Sequence, residues 1–351
     1  ERDLFAMQRL SLKQVSTSIR ASPDLETLRA VARDIRRFAR NLLGQGVGAR
    51  QLTELVSRLN DVLTEHLVEM LAGEQGVDLR RCCWLAFGSE GRGEQTVATD
   101  QDNGLIFVSD DPARDRPQWL AFALRVNQAL DACGYPLCKG QIMASNPECC
   151  LTADEWCQRF NQWMEHGAPE DLLKASIFFD LRPLAGRLEL AEPLRRLITQ
   201  HASRLPRFMK QMSANGLRHR VPLNWRGGVE GTQDQGREVF DAKLHGTAIF
   251  VDVARLYALA HGVEATNTRE RFLAVARWLK ADPSESEAWV GGFEFLQMLR
   301  LRRQMEEGEA IPDNPNLIEL DSLNEIDRRV LRETLRVARR LQQRMELDYQ
   351  R

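Results

Sequence analysis

The chain has 351 residues and a mass of 40.1 kDa, which predicts two or three domains at roughly 100–200 residues each. Its 43% hydrophobic and 28% charged residues are typical of globular proteins and exclude a disordered or collagen-like chain. No run of about 18 apolar residues occurs, so we expect neither a transmembrane helix nor a membrane partner. The 48 basic and 50 acidic residues give a net charge of -2, without the basic excess of a dedicated nucleic-acid-binding protein.

The cysteines include two adjacent pairs and no Cys-x-x-Cys spacing, which argues against a disulfide framework and against a zinc site. We therefore expect reduced thiols and a cytoplasmic protein. The chain begins at Glu1 without a signal-like segment, and we expect it to be a piece of a longer protein. The seven cysteines are Cys82, Cys83, Cys133, Cys138, Cys149, Cys150 and Cys157.

Residues 1–75 are predicted to be helical throughout. One helix carries an apolar stripe at spacings of three and four residues, and a second amphipathic helix follows the glycines at 44–48. Because a small α/β domain is not expected to cover this stripe, we predict that residues 1–75 pack on residues 188–350. A homodimer that pairs the N-terminal helices is the alternative. The stripe comprises Leu28, Val31, Ile35, Phe38 and Leu42.

Short apolar runs bounded by turn residues predict strands over 82–87 and 104–108. Residues 141–144 are predicted to form a third strand, and the pattern over 117–133 predicts a helix between the second and third strands. This alternation indicates an α/β domain over 76–187.

Beyond residue 188 the helical period returns. The stretch from Val239 to Leu259 is apolar on most faces and predicts a central bundle helix, while 222–237 and 307–320 are predicted to be loops. The last helix is predicted to bury Ile326, Val330 and the apolar residues that follow at helical spacing. The fold class is therefore α+β, with helical segments 1–75 and 188–351 flanking the α/β domain.

A glycine-rich turn follows the first strand, in the sequence Phe-Gly-Ser-Glu-Gly-Arg-Gly-Glu-Gln over residues 87–95. Glycines at 88, 91 and 93 allow the backbone N–H groups to approach an anion closely, and Gly88, Ser89 and Gly91 are predicted to cradle phosphate oxygens. Arg92 is predicted to add charged donors to the same anion.

Asp100 and Asp102 follow the glycine-rich turn and precede the second strand. Two residues apart on an extended chain, their side chains lie on the same side. Carboxylate oxygens shared with substrate phosphates are the ligands that Mg²⁺ prefers. The pair therefore predicts a magnesium site, with Mn²⁺ as the alternative cation.

Gly88-Ser89 followed by Asp100-x-Asp102 resembles the signature of the DNA polymerase β nucleotidyltransferase superfamily. The longer strings Gly-Ser-Glu-Gly-Arg-Gly-Glu-Gln-Thr and Thr-Asp-Gln-Asp-Asn resemble, more narrowly, bacterial nucleotidyltransferases related to the PII-protein uridylyltransferase. These proteins usually carry cyclic-nucleotide-binding and CBS domains upstream and a helical substrate-binding domain downstream. Further similarity occurs at 139–147, 177–186, 240–243 and 299–304. One departure is Gln101, since the wider superfamily usually has an apolar residue between the aspartates.

The resemblance implies a polymerase β-like fold and transfer of a nucleoside monophosphate from an NTP to a protein or small-molecule acceptor, in signal transduction. Asp100 and Asp102 would be catalytic metal ligands. Asp180 resembles the third carboxylate, and the alternative is an aspartate that pairs with Arg182 or caps a helix. Lys139 would reach the triphosphate, or it is a surface lysine in a turn.

Two other readings of the chain stay open. One is a nucleotide-sensing regulatory module that binds NTP without turnover, and the other is a helical scaffold that binds no nucleotide. Retention of both aspartates favours an enzyme. Outside the motif, Trp225 would stack on a base or close a surface over the core. The basic residues Arg300, Arg302 and Arg303 would face a nucleotide or partner, or form a solvated helix face.

Overall fold

The computed structural model of the chain describes residues 2–306 and 312–350, with side chains from Leu12 onward. The helices are α1 (Arg2–Ala21), α2 (Leu25–Gly44), α3 (Ala49–Gln75), α4 (Gly88–Arg92), α5 (Pro112–Ala132), α6 (Ala153–His166), α7 (Pro169–Ala175), α8 (Glu192–His201), α9 (Pro206–Gly216), α10 (Ala248–Ala260), α11 (Thr268–Ala276), α12 (Pro283–Met305) and α13 (Glu325–Tyr349). The strands are β1 (Cys82–Ala86), β2 (Asn103–Phe107), β3 (Cys150–Leu151), β4 (Arg182–Gly186), β5 (Thr232–Asp234), β6 (Arg237–Asp241) and β7 (Leu317–Glu319).

The described chain divides into two compact units. One contains residues 2–47, 51–159 and 180–195, and the other contains 48–50, 160–179 and the described residues from 196 onward. The expected α+β class is confirmed, with a mixed sheet in the first unit and mostly helices in the second. The expected domain boundaries at 75/76 and 187/188 stay predictions.

The sheet of the first unit has the strand order β3–β2–β1–β4. The central strand β1 is antiparallel to both β2 and β4, while β2 and β3 are parallel. The register pairs Ala86, at the end of β1, with Asn103 at the start of β2 and with Arg182 at the start of β4. Three chain segments therefore meet at one edge of the sheet: the turn after β1, the residues before β2 and the residues before β4.

All residues of β1 and β2 are buried, so both faces of the sheet must be covered. On one face, Trp84 and Phe107 share a hydrophobic cluster with Phe122 of α5, Leu28 of α2 and Leu63 of α3. On the other face, Trp156 of α6 packs against Phe87 with ring centroids 5.8 Å apart. Its indole N–H also donates to the carbonyl of Leu105 at 3.0 Å.

The expected packing of residues 1–75 on residues 188–350 is wrong for the apolar stripe of α2. Leu28, Val31 and Ile35 are buried in the cluster that covers the Trp84 face of the sheet, and Phe38 packs against that cluster. The physical reason is that both faces of this buried sheet must be covered, and α2 and α3 share with α5 the cover of this face. The homodimer alternative depended on an uncovered apolar stripe on α2, and the stripe residues in this cluster are covered within the same unit.

The expected third strand at 141–144 is also wrong. This segment is a turn and loop that is tied to β2, since the Asn103 N–H donates to the Ile142 carbonyl at 3.1 Å. Strand pairing with β2 is made instead by β3, further along the chain, where Leu105 pairs with Cys150. The expected helix 117–133 is confirmed by α5, which begins earlier, at Pro112.

In the second unit, α10 is buried on most faces and packs against α9, α11 and α13. The expected helix over Val239–Leu259 is wrong for its first residues, which belong to β6, and a π-helical turn at Lys243–Thr247 then leads into α10. β6 is the central strand of a small antiparallel sheet, β5–β6–β7, in segments expected to be loops or helix. Residues 307–311 of the expected loop 307–320 lie outside the described residues.

The last helix, α13, buries a stripe that begins one turn later than expected. Leu331, Leu335 and Leu341 are buried against the second unit. Ile326 and Val330, in the first turns of α13, are exposed. Across the described ranges, no helix is long and apolar enough to cross a membrane.

The N-terminal helices are expected to stabilise the sheet domain, and Leu28→Ala tests this directly. Leu28 is fully buried, and truncating such a side chain costs about 2–5 kcal/mol because a cavity remains. Urea denaturation followed by circular dichroism and tryptophan fluorescence measures the loss. Leu124→Ala, an exposed leucine on α5 of the same unit, is the matched control. Equal unfolding midpoints for the two variants would show that α2 adds nothing to the domain.

Candidate functional site

The turn after β1 brings the glycine-rich motif directly against Asp102. Phe87 is extended and donates its N–H to the Asp102 carbonyl at 2.9 Å, continuing the β1–β2 pairing. Gly88 then begins α4 with a φ of 54°, a conformation that side chains rarely adopt. A Cβ at this position would lie 2.7 Å from Oδ2 of Asp102. Gly88 is therefore required by its backbone conformation and by the close approach of the carboxylate.

Asp100 and Asp102 converge as expected, although they lie just before β2 rather than within it. Together with Cys138 they form a group whose candidate ligand atoms all lie within 4.8 Å of one another. The Cys138 thiol donates to Oδ1 of Asp102 at 3.3 Å. Two carboxylates and a thiol at these separations are a donor set that fits a divalent cation.

Gln101, the departure from the superfamily pattern, faces away from the two aspartates into a buried polar cluster. Its amide N–H₂ donates to the carbonyls of Asn127 and Tyr135, both at 2.9 Å. Its side-chain oxygen accepts from Asn127 at 2.8 Å and from Asn103 at 3.3 Å. Because these bonds satisfy both ends of the amide, a polar residue at this buried position is not penalised. The cluster holds the backbone between the two carboxylates in place.

Arg92 is held between two buried carboxylates. Its guanidinium donates to Oδ2 of Asp180 at 2.6 Å and to Oε2 of Glu94 at 3.0 Å. Asp180 is fully buried and lies outside the candidate cation group formed by Asp100, Asp102 and Cys138. Arg92 therefore joins the glycine-rich turn to the segment before β4. Its expected contact with a phosphate, and the expected metal role of Asp180, stay predictions.

The structure gives Asp180 and Arg182 different partners, contrary to the alternative in which these two residues pair. Arg182 pairs bidentately with Asp61 of α3, at 2.8 and 2.9 Å, and also donates to the backbone carbonyl of Glu90 at 2.8 Å. Gly91 packs against the backbone carbonyl of Asp180, which a Cβ at position 91 would overlap. Close packing within the domain is thus a reason for Gly91 that is independent of phosphate binding.

Ser89 and Lys139 lie beside the aspartate pair. The Ser89 hydroxyl is 3.5 Å from the hydroxyl of Thr99, the residue before Asp100. Lys139 is exposed in the turn that follows Cys138, closed by a hydrogen bond from the Gln141 N–H to the Cys138 carbonyl at 3.0 Å. Their expected phosphate contacts stay predictions.

The basic residues singled out on α12 are engaged within the second unit. Arg300 is buried and donates to Gln297 and Asn316, while Arg302 pairs with Asp327. The structure thus gives them local partners. Arg303 likewise pairs with Glu306 at 2.8 Å.

Trp225 does not close a surface over the core, because it is 85% exposed. The Arg226 guanidinium lies 4.5 Å from the centre of its ring, a cation–π contact that steadies the indole in its exposed position. The other reading, stacking on a base, stays a prediction.

Sequence reasoning missed three residues of the site: Cys138, Glu90 and Asp61. In the sequence, Cys138 differs from the other cysteines only by its place directly before Lys139-Gly140. Glu90 is almost fully buried within the motif. Burial, reinforced by the negative charge of Asp61, raises the pKa of Glu90 from its usual 4.5 to about 8 despite the nearby Arg182. Glu90 is therefore protonated in the folded protein at neutral pH.

The raised pKa of Glu90 predicts a loss of stability with increasing pH. Between about pH 4.5 and 8 the folded state binds a proton that the unfolded state has released, so the free energy of unfolding falls as pH rises through this range. Glu90→Gln replaces the carboxyl with a neutral group of the same shape. Thermal melts at pH 5, 6.5 and 8 should show the variant gaining stability over the wild type as pH increases. Melting curves that shift in parallel for the two proteins would contradict the assignment.

Arg92→Ala is expected to destabilise the first unit by about 3–5 kcal/mol, because two buried carboxylates lose their shared guanidinium. Denaturant titration measures this loss. Adding Asp180→Asn to the same chain removes one of the buried charges and should recover part of it. A loss of nucleotide affinity with unchanged unfolding free energy would instead assign Arg92 to phosphate binding.

Comparison with known families agrees with the geometry. Residues 33–170, which contain the glycine-rich turn, both aspartates and Cys138, match the family described as "Putative nucleotidyltransferase DUF294". Residues 206–349 match the "Putative nucleotidyltransferase substrate binding domain" described as its C-terminal companion. No curated protein matches the chain significantly. The chain therefore contains a segment of the DUF294 nucleotidyltransferase family, followed by a segment that matches the family's C-terminal substrate-binding domain.

Proposed function

We propose that the protein transfers a nucleoside monophosphate from an NTP to a hydroxyl group of an acceptor and releases pyrophosphate. The observation that carries the proposal is the convergence of Asp100 and Asp102 beside the Gly88–Ser89 turn, within the segment that matches a nucleotidyltransferase family. A phosphate-binding turn next to paired carboxylates is the arrangement that phosphoryl chemistry requires, since catalysis there depends on positioning and charge neutralisation.

Asp100 and Asp102 would hold the divalent cation that such chemistry needs, Mg²⁺ or alternatively Mn²⁺. When bound, this cation neutralises phosphate charge and polarises the reacting phosphorus–oxygen bonds. The two side chains are aligned for this role because Gln101 and Asn103, on either side of Asp102, are fixed by buried hydrogen bonds. Ser89 would contact the β- and γ-phosphates, and Lys139 would reach the triphosphate. Arg92, at the end of the same turn, would stabilise its position through ion pairs with Asp180 and Glu94.

In the proposed reaction the acceptor oxygen forms a bond to the α-phosphorus, and the bond from that phosphorus to the bridging oxygen of pyrophosphate breaks. The electron pair of the broken bond leaves with pyrophosphate. The proton of the attacking hydroxyl is released to water. The chain's part in this step is to align the two oxygens with phosphorus and to hold the charges of the triphosphate.

The acceptor is proposed to bind the C-terminal domain, because the family match describes residues 206–349 as substrate binding. A protein acceptor in signal transduction, as in the uridylyltransferases that the motif resembles, is the first candidate, and a small-molecule acceptor is the second. Incubation of the protein with radiolabelled NTPs and a cell extract, followed by identification of the labelled species, tests both.

Asp102→Asn is expected to lower the rate of pyrophosphate release by at least about 100-fold, the scale of losing one electrostatic contact to a transition state. The measurement is pyrophosphate release from ATP and from UTP with Mg²⁺ and cell extract. Asp110→Asn is the matched control, because Asp110 is an exposed aspartate beyond the far end of β2. Wild-type rates in Asp102→Asn would place the active site elsewhere.

The same experiment separates transfer from the alternative of a nucleotide sensor. A sensor binds NTP, in a way that depends on Asp102, but releases no pyrophosphate with any acceptor in the extract. Binding of NTP by the wild type is measured by isothermal titration in parallel. Binding of NTP without release of pyrophosphate would favour the sensor. If neither NTP binding nor pyrophosphate release occurs, a scaffold is favoured.

A further inference from the structure

The thiol of Cys138 lies in the candidate cation site rather than in an apolar core. Cys138 is buried, and its Sγ is 3.3 Å from Oδ1 of Asp102. Its Sγ, together with one carboxylate oxygen each from Asp100 and Asp102, forms the described group whose atoms lie within 4.8 Å of one another. A thiol is an unusual neighbour for a site that binds only Mg²⁺, because Mg²⁺ prefers oxygen ligands.

Backbone hydrogen bonds on both sides of Asp102 hold Cys138 in this position. The Gln101 N–H donates to the carbonyl of Pro136 at 3.0 Å, and the Asn103 N–H donates to the carbonyl of Ile142 at 3.1 Å. The chain segment that contains Cys138 is thereby tied to the two residues that flank Asp102. The proximity of the thiol to the carboxylate is set by the fold and does not depend on a flexible side chain.

The separation of sulfur and oxygen is compatible with a shared cation. With metal–sulfur and metal–oxygen distances of about 2.3 and 2.1 Å, ligands at a right angle are about 3.1 Å apart and ligands at the tetrahedral angle about 3.6 Å apart. The observed 3.3 Å between Sγ of Cys138 and Oδ1 of Asp102 lies between these values. One ion can therefore contact both atoms without rearrangement of this pair.

We propose that Cys138 is a third ligand of the cation held by Asp100 and Asp102, and that the site consequently binds a thiophilic divalent cation of the Zn²⁺ and Co²⁺ class more tightly than Mg²⁺. The inference rests on the metal role that the proposed function gives to the two aspartates. Its chemical basis is that thiolate ligands favour Zn²⁺ and its neighbours, whereas a purely carboxylate site suits Mg²⁺. On coordination the sulfur releases its proton to solvent and forms a metal–sulfur bond.

Cobalt reports this bond directly, because a Co²⁺–thiolate pair absorbs in the near ultraviolet by charge transfer from sulfur to metal. The experiment titrates Co²⁺, without nucleotide, into the 351-residue chain and into three variants of it. Cys138→Ser removes the sulfur but keeps a donor for Asp102, and Asp102→Asn removes the carboxylate. Cys133→Ser is the matched control, since Cys133 is a buried thiol of the same unit that lies near Arg29 and Arg36.

The wild type and Cys133→Ser should show the charge-transfer band, and Cys138→Ser and Asp102→Asn should lose it. Zn²⁺ should displace Co²⁺ from the wild type, whereas a large excess of Mg²⁺ should not. Cys138→Ser should weaken Co²⁺ binding by about 10–100-fold, the range for losing a contact that supports a metal. Because the wild-type band and the competition with Mg²⁺ need no variant, the test survives a variant that fails to fold.

The inference is overturned if the wild type shows no band, if Cys138→Ser keeps it, if Asp102→Asn keeps it or if Mg²⁺ competes equally with Co²⁺. These outcomes are independent of transfer activity. Pyrophosphate release with Mg²⁺ and no cobalt–sulfur band would leave the proposed function standing and remove Cys138 from the site. A cobalt–sulfur band without pyrophosphate release under any metal would keep Cys138 as a metal ligand and remove the proposed transfer activity.

Discussion

The register of the central strand β1 is the constraint on which the candidate site depends. Ala86 pairs with Asn103 on one side and with Arg182 on the other. Because both neighbours run antiparallel to β1, the end of β1 meets the beginning of β2 and of β4 at the same edge of the sheet. The glycine-rich turn, the two aspartates and Asp180 therefore come together although they lie up to about ninety residues apart in the chain. A shift of register by one residue would turn Asp102 away from Gly88.

The second feature of the site is a group of closely spaced carboxylates, several of which are paired with arginines. Arg92 bridges Asp180 and Glu94, and Arg182 binds Asp61 bidentately. Buried charges of this kind are tolerated only when they are paired, because desolvation is otherwise too costly. Glu90 avoids an unpaired buried charge without an arginine partner, since burial raises the pKa of its carboxyl and favours the protonated form. Under the proposed function, the carboxylates of Asp100 and Asp102 would hold a cation, and a triphosphate would bind beside it.

The N-terminal helix α3 also contacts the chain segments that form the candidate site. Asn60 of α3 accepts a hydrogen bond from the Tyr135 hydroxyl and donates to Gln95, and Ser57 accepts from the Gln95 N–H at 2.9 Å. Asp61, on the same helix, binds Arg182. The helix that covers the apolar face of the sheet is therefore also the helix that positions the glycine-rich turn and the start of β4. Stability of the domain and geometry of the site therefore share one element, α3.

The sequence by itself determined what depends on neighbouring residues. It predicted the first two strands, at 82–87 and 104–108, within one residue of their observed bounds. It also predicted the helical character of both flanks and the convergence of Asp100 with Asp102. Apolar runs and helical spacing are local signals, and two residues separated by one on an extended chain point the same way in any fold. Tertiary structure decided the rest. Arg92 meets Asp180, Cys138 meets Asp102, and α2 covers the sheet only because distant segments are brought together by strand pairing and by the need to bury both sheet faces. Residues 141–144 are apolar enough for a strand, yet Cys150–Leu151 pairs with β2 in their place, since strand partners are chosen by the geometry of the whole domain and not by the composition of one segment.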